Sequence, residues 1–325
     1  MPSLPRSPSR RAVMAALPAV LAAPRPARAA WPERPIRIIV TFPPGTQTDI
    51  LTRLYAAPLS ERLGQPVVVD NRGGGQGQIG IRAALAAPAD GHTLVMVGVS
   101  TGASAPHMIK DLSYDPRRDL LPIALIADAP YLLVCNPRLP VHSTAELIAY
   151  AKQRPGQLNF GHGAPSRQIV GQLMAHMAGL EVPDVAYRGQ PEALTDTAQG
   201  RLSYTFSDLG DALVWAREGR VRALAVSTAQ RSPLAPEIPS LAETLPGFGL
   251  SVWFMLAGQP GLPPAVVQRL NTEIAGVMAE PALRAKLATQ GLDVRSEDPA
   301  RLREFLGTEI ETWGRVVKTL GLTPQ

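Results

Sequence analysis

The segment Phe42–Asp49, FPPGTQTD, combines the residue types of an anion-binding turn. It follows the apolar run Ile36–Val40 and precedes a helical pattern that begins near Ile50. The first N–H groups of a helix have no partner within the helix, and the aligned peptide dipoles make that end positive. Gly45 permits a backbone conformation that other residues resist. Further donors follow in the side chains of Thr46, Gln47 and Thr48. The segment therefore predicts a place where an anion is held.

An ordinary turn between a strand and a helix fits the same residues. In that interpretation Thr48 caps the helix, because a threonine hydroxyl accepts a hydrogen bond from the backbone at a helix start. Both interpretations remain open on this segment alone.

Gly75, Gly77 and Gly80 form the pattern G-x-G-x-x-G, which is the dinucleotide-binding fingerprint, before a predicted helix at Ile81–Ala87. Residues 70–74 separate the preceding strand from this motif, whereas the fingerprint lies directly at the strand end. We therefore favour a glycine-rich loop beside a cleft, with nicotinamide or flavin binding as the weaker alternative.

Gly98–Gly102, GVSTG, matches the nucleophile elbow G-x-S-x-G of α/β-hydrolases, with Ser100 as the nucleophile. An elbow leads straight into a helix, and Ala103–Pro106 is a poor helix start. The histidine of such a triad follows late in the chain, yet the last histidine here is His176. We therefore favour a strand-end loop whose Ser100 and Thr101 hydroxyls point into a cleft.

The histidines and the cysteine do not indicate a metal site or a cofactor. The five histidines show no ligand spacing. Cys135 lies in an apolar run, which is typical of a buried small hydrophobe. The sequence therefore predicts no catalytic residue, no metal and no cofactor.

The first 30 residues carry the basic excess of the chain. They hold five of the 32 basic side chains and no acid, which leaves 27 basic against 27 acidic side chains elsewhere. This formally neutral remainder gives no argument for nucleic acid. Arg10 and Arg11, the apolar run Ala12–Ala23 and the small residues Ala27 and Ala29 predict a signal peptide over residues 1–29, with twin-arginine export as one route. We expect export to the periplasm and no membrane span.

Apolar runs and helical patterns alternate after Trp31. This alternation predicts an α/β fold with a mostly parallel sheet covered by helices. Ile123–Ile126 and Tyr131–Cys135 are two predicted strands, and we interpret the break at Asp128–Pro130 as a crossing between domains. The helices after the two candidate loops are predicted over Asp49–Leu63 and Gln168–Ala178.

Seven segments of the chain, in this order and spacing, carry a family resemblance. They are WPERPIRIIVTFPPGTQTDILTRL, LSERLGQPVVVDNRGGGQGQIG, DGHTLVMV, YDPRRDLLPIALIA, LNFG, VAYRGQPEALTD and GRVRALAVSTAQRSPLAPEIPSLAE. From about Trp31 to the C-terminus the chain resembles the Bug-type extracytoplasmic solute receptors, the substrate-binding components of tripartite tricarboxylate transporters.

The resemblance implies two α/β domains in a periplasmic-binding-protein (Venus flytrap) arrangement with a ligand cleft between them. Residues 30–128 and 253–325 would form domain 1, and residues 129–252 domain 2. Such receptors are not enzymes, and they capture small carboxylates (di- or tricarboxylates, acidic amino acids or aromatic acids) for a membrane permease. We expect a periplasmic monomer, and a periplasmic ligand sensor for a signalling system is the alternative.

In the family, two loops hold the carboxylate, largely through backbone N–H groups and ordered water. The first loop matches Phe42–Asp49, the second matches the stretch after Leu158–Gly161, and an acid at the cleft matches Asp208. The expected ligand-binding residues are Phe42, Gly45, Thr46, Gln47, Thr48, Asp49, Ser100, Thr101, Gly163, Ala164, Ser166, Arg167 and Asp208.

Two departures from the family pattern concern the ligand. Thr46 replaces the second glycine of the usual Pro-Gly-Gly in the first loop. The second loop, His162–Arg167, is about two residues shorter than usual, and Pro165 donates no N–H. Arg167 is accordingly a candidate for binding a second carboxylate through its charged fork, and a solvated helix start is the alternative.

Overall fold

The computed structural model describes Met1, residues 31–295 and residues 297–324. Beyond Met1, the predicted signal peptide lies outside the described residues. Pro32–Gln325 forms one compact unit. Its strands, in chain order, are β1 (Ile36–Val40), β2 (Val67–Asn71), β3 (Thr93–Gly98), β4 (Leu121–Cys135), β5 (Phe160–His162), β6 (Asp184–Ala186), β7 (Tyr204–Asp208), β8 (Arg222–Val226), β9 (Ser251–Gly258) and β10 (Asp293–Val294).

Helices follow most strands, as the sequence pattern predicts. They are α1 (Gln47–Leu63), α2 (Gln78–Leu85), α3 (Val99–Gly102), α4 (Ala105–Met108), α5 (Pro116–Asp119), α6 (Thr144–Lys152), α7 (Pro165–Ala178), α8 (Gln190–Gln199), α9 (Leu209–Arg217), α10 (Pro264–Met278), α11 (Pro281–Thr289) and α12 (Leu302–Thr319). Within the described ranges, none of these helices has both the length and the apolar character that a membrane crossing needs.

The strands form two parallel groups joined by antiparallel pairs. The prediction of a mostly parallel sheet is therefore wrong, because the pairs that β4 and β9 form with their neighbours are antiparallel. The order is β2-β1-β3-β9-β4-β7-β5-β6, and β8 and β10 also pair with β4. β1 is parallel to β2 and β3, and β5 is parallel to β6 and β7. β9 is antiparallel to β3 and β4. The carboxyl ends of β1, β3, β5 and β7, from which helices lead away, are therefore the places where a ligand site is expected in such a sheet.

The prediction of two separate strands around Asp128–Pro130 is wrong, because β4 is one continuous strand of 15 residues. Its first part pairs with β9 as far as Pro130, opposite Ser251, and its last part pairs with β7 from Tyr131 onward. Pro130 lacks an N–H and lies where the strand exchanges partners. The strand thus connects the two parallel groups without a break in its extended backbone.

Both helices behind the candidate loops begin earlier than predicted. α1 starts at Gln47 instead of Asp49, and its N-cap is Thr46 instead of Thr48. α7 starts at Pro165 instead of Gln168. Proline suits the first position of a helix, because its fixed φ is helical and the N–H there has no helical partner in any case. Residues predicted to lie in loops therefore lie in the first turns of two helices.

Candidate ligand-binding site

A cavity of about 40 Å³ lies where β1, β3, β5 and β7 end and the helices that follow them begin. β9 and the start of α8 complete its wall. The lining residues are Phe42, Thr46, Gln47, Thr48, Gly98, Val99, Ser100, Gly163, Ala164, Ser166, Arg167, Gln190, Asp208, Val252 and Phe254. We refer to this space as the inner cavity.

The structure brings ten of the predicted ligand-binding residues together at this cavity. The three that do not line it are Gly45, Asp49 and Thr101. Five lining residues were not anticipated from the sequence: Gly98, Val99, Gln190, Val252 and Phe254.

Asp49 shapes the first loop from behind the cavity. Its carboxylate accepts hydrogen bonds from the backbone N–H of Gly45, Nδ2 of Asn71 and Nε of Arg53, each at 2.9 Å. Burial opposes ionisation, but these bonds outweigh it and lower the pKa of Asp49. Gly45 itself has φ +80°, which a side chain would strain. Asp49 and Gly45 therefore fix the turn and do not face the cavity.

The first turn of α1 presents backbone donors to the inner cavity. Among the described residues, the N–H groups of Gln47 and Thr48 have no acceptor. The Thr46 hydroxyl donates to the carbonyl of Pro43 at 2.9 Å, so it does not cap these groups. The positive end of α1 is therefore unsatisfied at the cavity wall.

The Arg167 side chain is not solvated, and its guanidinium is already paired. Its side chain is 12% exposed, and its Nη2 donates to Oδ1 of Asp208, whose side chain is 8% exposed. The guanidinium also lies 5.1 Å from the centre of the Tyr131 ring. Its Nε is buried and has no partner among the described residues. The Nε donor of Arg167 is therefore buried and unpaired among the described residues, beside the ion pair that Nη2 forms with Asp208.

A chain of three hydroxyl groups runs beside this ion pair. Tyr131 donates to Oγ of Ser166 at 2.9 Å, and Oγ of Ser166 lies 2.8 Å from Oγ of Ser100. Burial raises the pKa of Tyr131 to about 12, although the charge of Arg167 opposes the rise. The phenol therefore stays protonated at neutral pH and keeps its place in the chain.

The surroundings of Ser100 do not make it a nucleophile. α3 follows β3 directly, so the expected poor helix start beyond Ser100 does not prevent an elbow-like turn. Within the described part of the chain, however, its hydroxyl bonds only to Ser166, and no histidine contacts it. Thr101 is fully buried, and its Oγ1 lies 3.3 Å from the N–H of Gly98. The prediction that Thr101 points into a cleft is therefore wrong.

Gly163 explains why the second loop passes so close to α8. A Cβ at this position would lie 2.2 Å from the backbone nitrogen of Gln190, so only glycine fits. The Gly163 N–H donates to Oε1 of Gln190 at 3.1 Å. No spacing in the sequence indicates this contact, because Gln190 follows 27 residues later.

A second space, the outer cavity, adjoins the first and is far larger, at about 560 Å³. Phe42, Gly163 and Ala164 line both cavities. The glycine loop Gly73–Gly77 forms part of its wall, so that motif borders a cleft, as we favoured. α2 begins at Gln78 instead of Ile81.

The described residues contain no cluster of three or more histidine, cysteine, aspartate or glutamate side chains that could hold a metal ion. Cys135 is buried in β4, and burial raises the pKa of its thiol to about 11. The donors at the inner cavity are thus backbone N–H groups, hydroxyls and one guanidinium.

Comparison with known proteins shows the same fold and family along nearly the whole chain. The family model TctC, "Tripartite tricarboxylate transporter family receptor", matches residues 51–322. Protein BugT of Bordetella pertussis is 34% identical over 299 residues, which cover 90% of this chain and 90% of that protein.

Two solved structures are similar in fold as well as in sequence. R. palustris Rpa4515, solved with adipate, has a TM-score of 0.88 and 35% identity, and the match covers 91% of this chain and 100% of that one. The periplasmic binding protein BugD has a TM-score of 0.85 and 25% identity, with 91% and 100% covered.

These matches confirm the predicted periplasmic-binding-protein fold and the Bug-type resemblance, and they contradict the hydrolase interpretation. Receptors of this kind bind solutes and are not enzymes. The chain belongs to the tripartite tricarboxylate transporter family of receptors.

Proposed function

We propose that this protein is a periplasmic receptor that captures a small carboxylate in its inner cavity. We further propose that it delivers this ligand to the membrane permease of a tripartite tricarboxylate-type transporter. The family assignment and the adipate-bound relative support this function. Export by a signal peptide over residues 1–29 and a monomeric state belong to the same proposal.

The unpartnered Nε of Arg167 is the observation that carries the proposal. A buried donor without an acceptor costs about 1–3 kcal/mol, and more for a charged group. Gln47 and Thr48 line the same cavity, and their N–H groups have no acceptor among the described residues. A carboxylate offers two oxygens that accept several hydrogen bonds, so it satisfies donors from both walls at once.

The size of the inner cavity supports one carboxylate. Its volume of about 40 Å³ is more than the roughly 10–15 Å³ that a single water needs, so it has room for a small group such as a carboxylate. We accordingly assign Arg167 and the α1 start to the same carboxylate, which replaces the hypothesis that Arg167 binds a second one.

Asp208 sets the electrostatic balance of the site. Alone, a buried carboxylate would repel an anionic ligand, but its ion pair with Arg167 offsets that charge. The ligand is then held mainly by hydrogen bonds and helix dipoles, which gain strength as water is excluded. Such binding allows release once the cleft opens.

Capture and release require the two domains to move. We propose that residues 30–128 with 253–325 and residues 129–252 are those domains. β4 exchanges partners at Pro130–Tyr131, opposite the start of β9, which supports hinges near Ala127–Pro130 and Val252–Met255. Closure there would bring α1 and α7 to a bound carboxylate.

Titration calorimetry of the mature protein with adipate, succinate and the neutral 1,6-hexanediol tests the proposal. We expect the acids to bind and the diol not to bind. Arg167→Lys keeps a positive charge beside Asp208 but removes the Nε donor, so it should weaken binding by about tenfold to 100-fold with little change in the melting temperature.

Arg201→Lys is the matched control, because Arg201 forms an exposed pair with Asp196 outside the cavities. Its affinity should stay at the wild-type value. Absence of binding by every carboxylate, or full affinity of the Arg167→Lys variant, would contradict the proposed function. Uptake of labelled ligand by cells with and without the receptor gene separates transport from sensing.

A further inference from the structure

We infer that the outer cavity is a second subsite, which holds the body and the distal carboxylate of an elongated dicarboxylate, with Arg188 as the countercharge. The inference rests on the proposed function of the inner cavity, because that cavity holds the proximal carboxylate. It adds the shape and second charge of the ligand, which the inner cavity leaves open.

The two volumes suit a ligand that extends from one cavity into the other. The inner cavity, at about 40 Å³, is far smaller than the outer one and suits an end group. Sites for small molecules usually measure about 300–1,000 Å³, and the outer cavity, at about 560 Å³, falls in that range. Phe42, Gly163 and Ala164 border both spaces, so they lie at the passage between them.

The walls of the outer cavity suit a hydrocarbon spacer. Pro43, Pro44, Pro165 and Tyr187 supply apolar ring surfaces, and Gly73–Gly77 adds backbone without side chains, apart from Gln76. Among the described residues that line this cavity there is no aspartate or glutamate. A chain of methylene groups between two carboxylates therefore meets apolar surface and no repelling charge.

Arg188 supplies a positive charge that forms no ion pair with the described residues. It is exposed at the cavity wall. This contrasts with Arg167, whose charge Asp208 offsets. A guanidinium binds a carboxylate through parallel N–H groups, so Arg188 matches the far end of a dianion.

The acid on the neighbouring strand does not compete for Arg188. Asp184 accepts hydrogen bonds from Nε2 of His162 at 2.7 Å and from the side-chain amides of Gln168 and Gln172, each at 2.9 Å. The bond from His162 is the main cause that lowers the pKa of Asp184, and burial opposes it. This carboxylate is therefore already satisfied, which leaves Arg188 free for a ligand.

Pairs of ligands that differ in one carboxylate test the inference by titration calorimetry. The pairs are adipate with hexanoate, pimelate with heptanoate and suberate with octanoate. For at least one pair, wild-type protein should bind the diacid about fivefold more tightly, the scale of a partly exposed ion pair. Arg188→Ala should abolish this ratio and leave the affinity for the monoacid within about twofold.

Arg82→Ala is the matched control, because Arg82 is also exposed and has no ion-pair partner in the described residues. It should keep the wild-type ratio. A ratio that persists in Arg188→Ala, or that is absent from wild type for all three pairs, overturns the inference. If the inference fails in this way but monoacids bind and Arg167→Lys lowers the affinity for them, the proposed function stands. If no acid binds at all, both fail.

Discussion

The starts of α1 and α7 both line the inner cavity, but they offer different chemistry. At α1 the donors are backbone N–H groups, held in place by Gly45 and Asp49 from outside the cavity. At α7 the first position is Pro165, and the donor is the side chain of Arg167. The first wall therefore depends on the shape of a turn, whereas the second depends on which side chain is present. We expect both walls to hold the same carboxylate, the first through backbone geometry and the second through Arg167.

Gly45→Val should have the largest effect on the backbone donors at the start of α1. A β-branched residue at φ +80° is strained by about 1–3 kcal/mol, so the turn should relax and move the N–H groups of Gln47 and Thr48. Two hydrogen bonds to a charged group, each of about 1.5 kcal/mol, would be lost, which weakens carboxylate binding about 100-fold. Titration calorimetry measures this loss.

Gly64→Val separates this effect from general destabilisation. Gly64 ends the same helix, has φ +69°, and a Cβ there meets no atom within 4 Å, as at Gly45. Its melting temperature should fall by a similar amount while its affinity stays within about twofold. Equal loss of binding in both variants would show that the turn geometry is not the cause.

Asp49→Asn should have an intermediate effect, through the support of the turn. It removes the charge that accepts three hydrogen bonds, so the free energy of unfolding should fall by about 2 kcal/mol at pH 7 and affinity by about tenfold. The pKa of Asp49 is lowered from its ordinary 3.8 in the folded state. Its stabilising contribution is therefore complete above pH 3.8 and is lost as the pH falls through the lowered value.

Urea unfolding at several pH values checks this dependence. The wild-type protein and the Asp49→Asn variant should differ most near neutral pH and converge in acid. A difference that stays constant down to the lowest pH would mean that the charge of Asp49 does not support the turn.

Thr46→Gly should have the smallest effect and sharpens the comparison. The Thr46 hydroxyl bonds to the carbonyl of Pro43 and does not cap α1. We expect unfolding free energy to fall by about 1 kcal/mol and carboxylate affinity to change by less than about threefold. A larger loss of affinity would make the Thr46 side chain a ligand contact and would contradict a wall built from backbone donors.

Local patterns in the sequence predicted the elements that local physics determines. β1 and β3 are apolar runs, and Gly64 ends α1 in the left-handed conformation. Pro165 is a local signal for the start of α7, since proline favours the first turn of a helix. A prediction that treats Pro165 only as a residue without an N–H places the start of α7 too late.

Contacts between distant residues were not predictable from the same patterns. Asp208, the partner of Arg167, follows 41 residues later, and nothing local selects it from the other acids. β4 remains one strand through Asp128–Pro130 because β9 pairs with that stretch. Phe254 on β9 reaches the cavity through that same pairing. Such features follow from tertiary packing, which one sequence without relatives does not display.

The hydrogen-bonded hydroxyl groups of Tyr131, Ser166 and Ser100 have one proton more than their mutual hydrogen bonds use. Three hydroxyl groups carry three protons, and the two links between them use two. One proton is left on Ser166 or Ser100, both of which line the inner cavity, and the described residues offer it no acceptor. The three hydroxyl groups thus favour a ligand that accepts a hydrogen bond over one that only donates. An ammonium group would leave that proton unused, whereas a carboxylate oxygen would complete the chain.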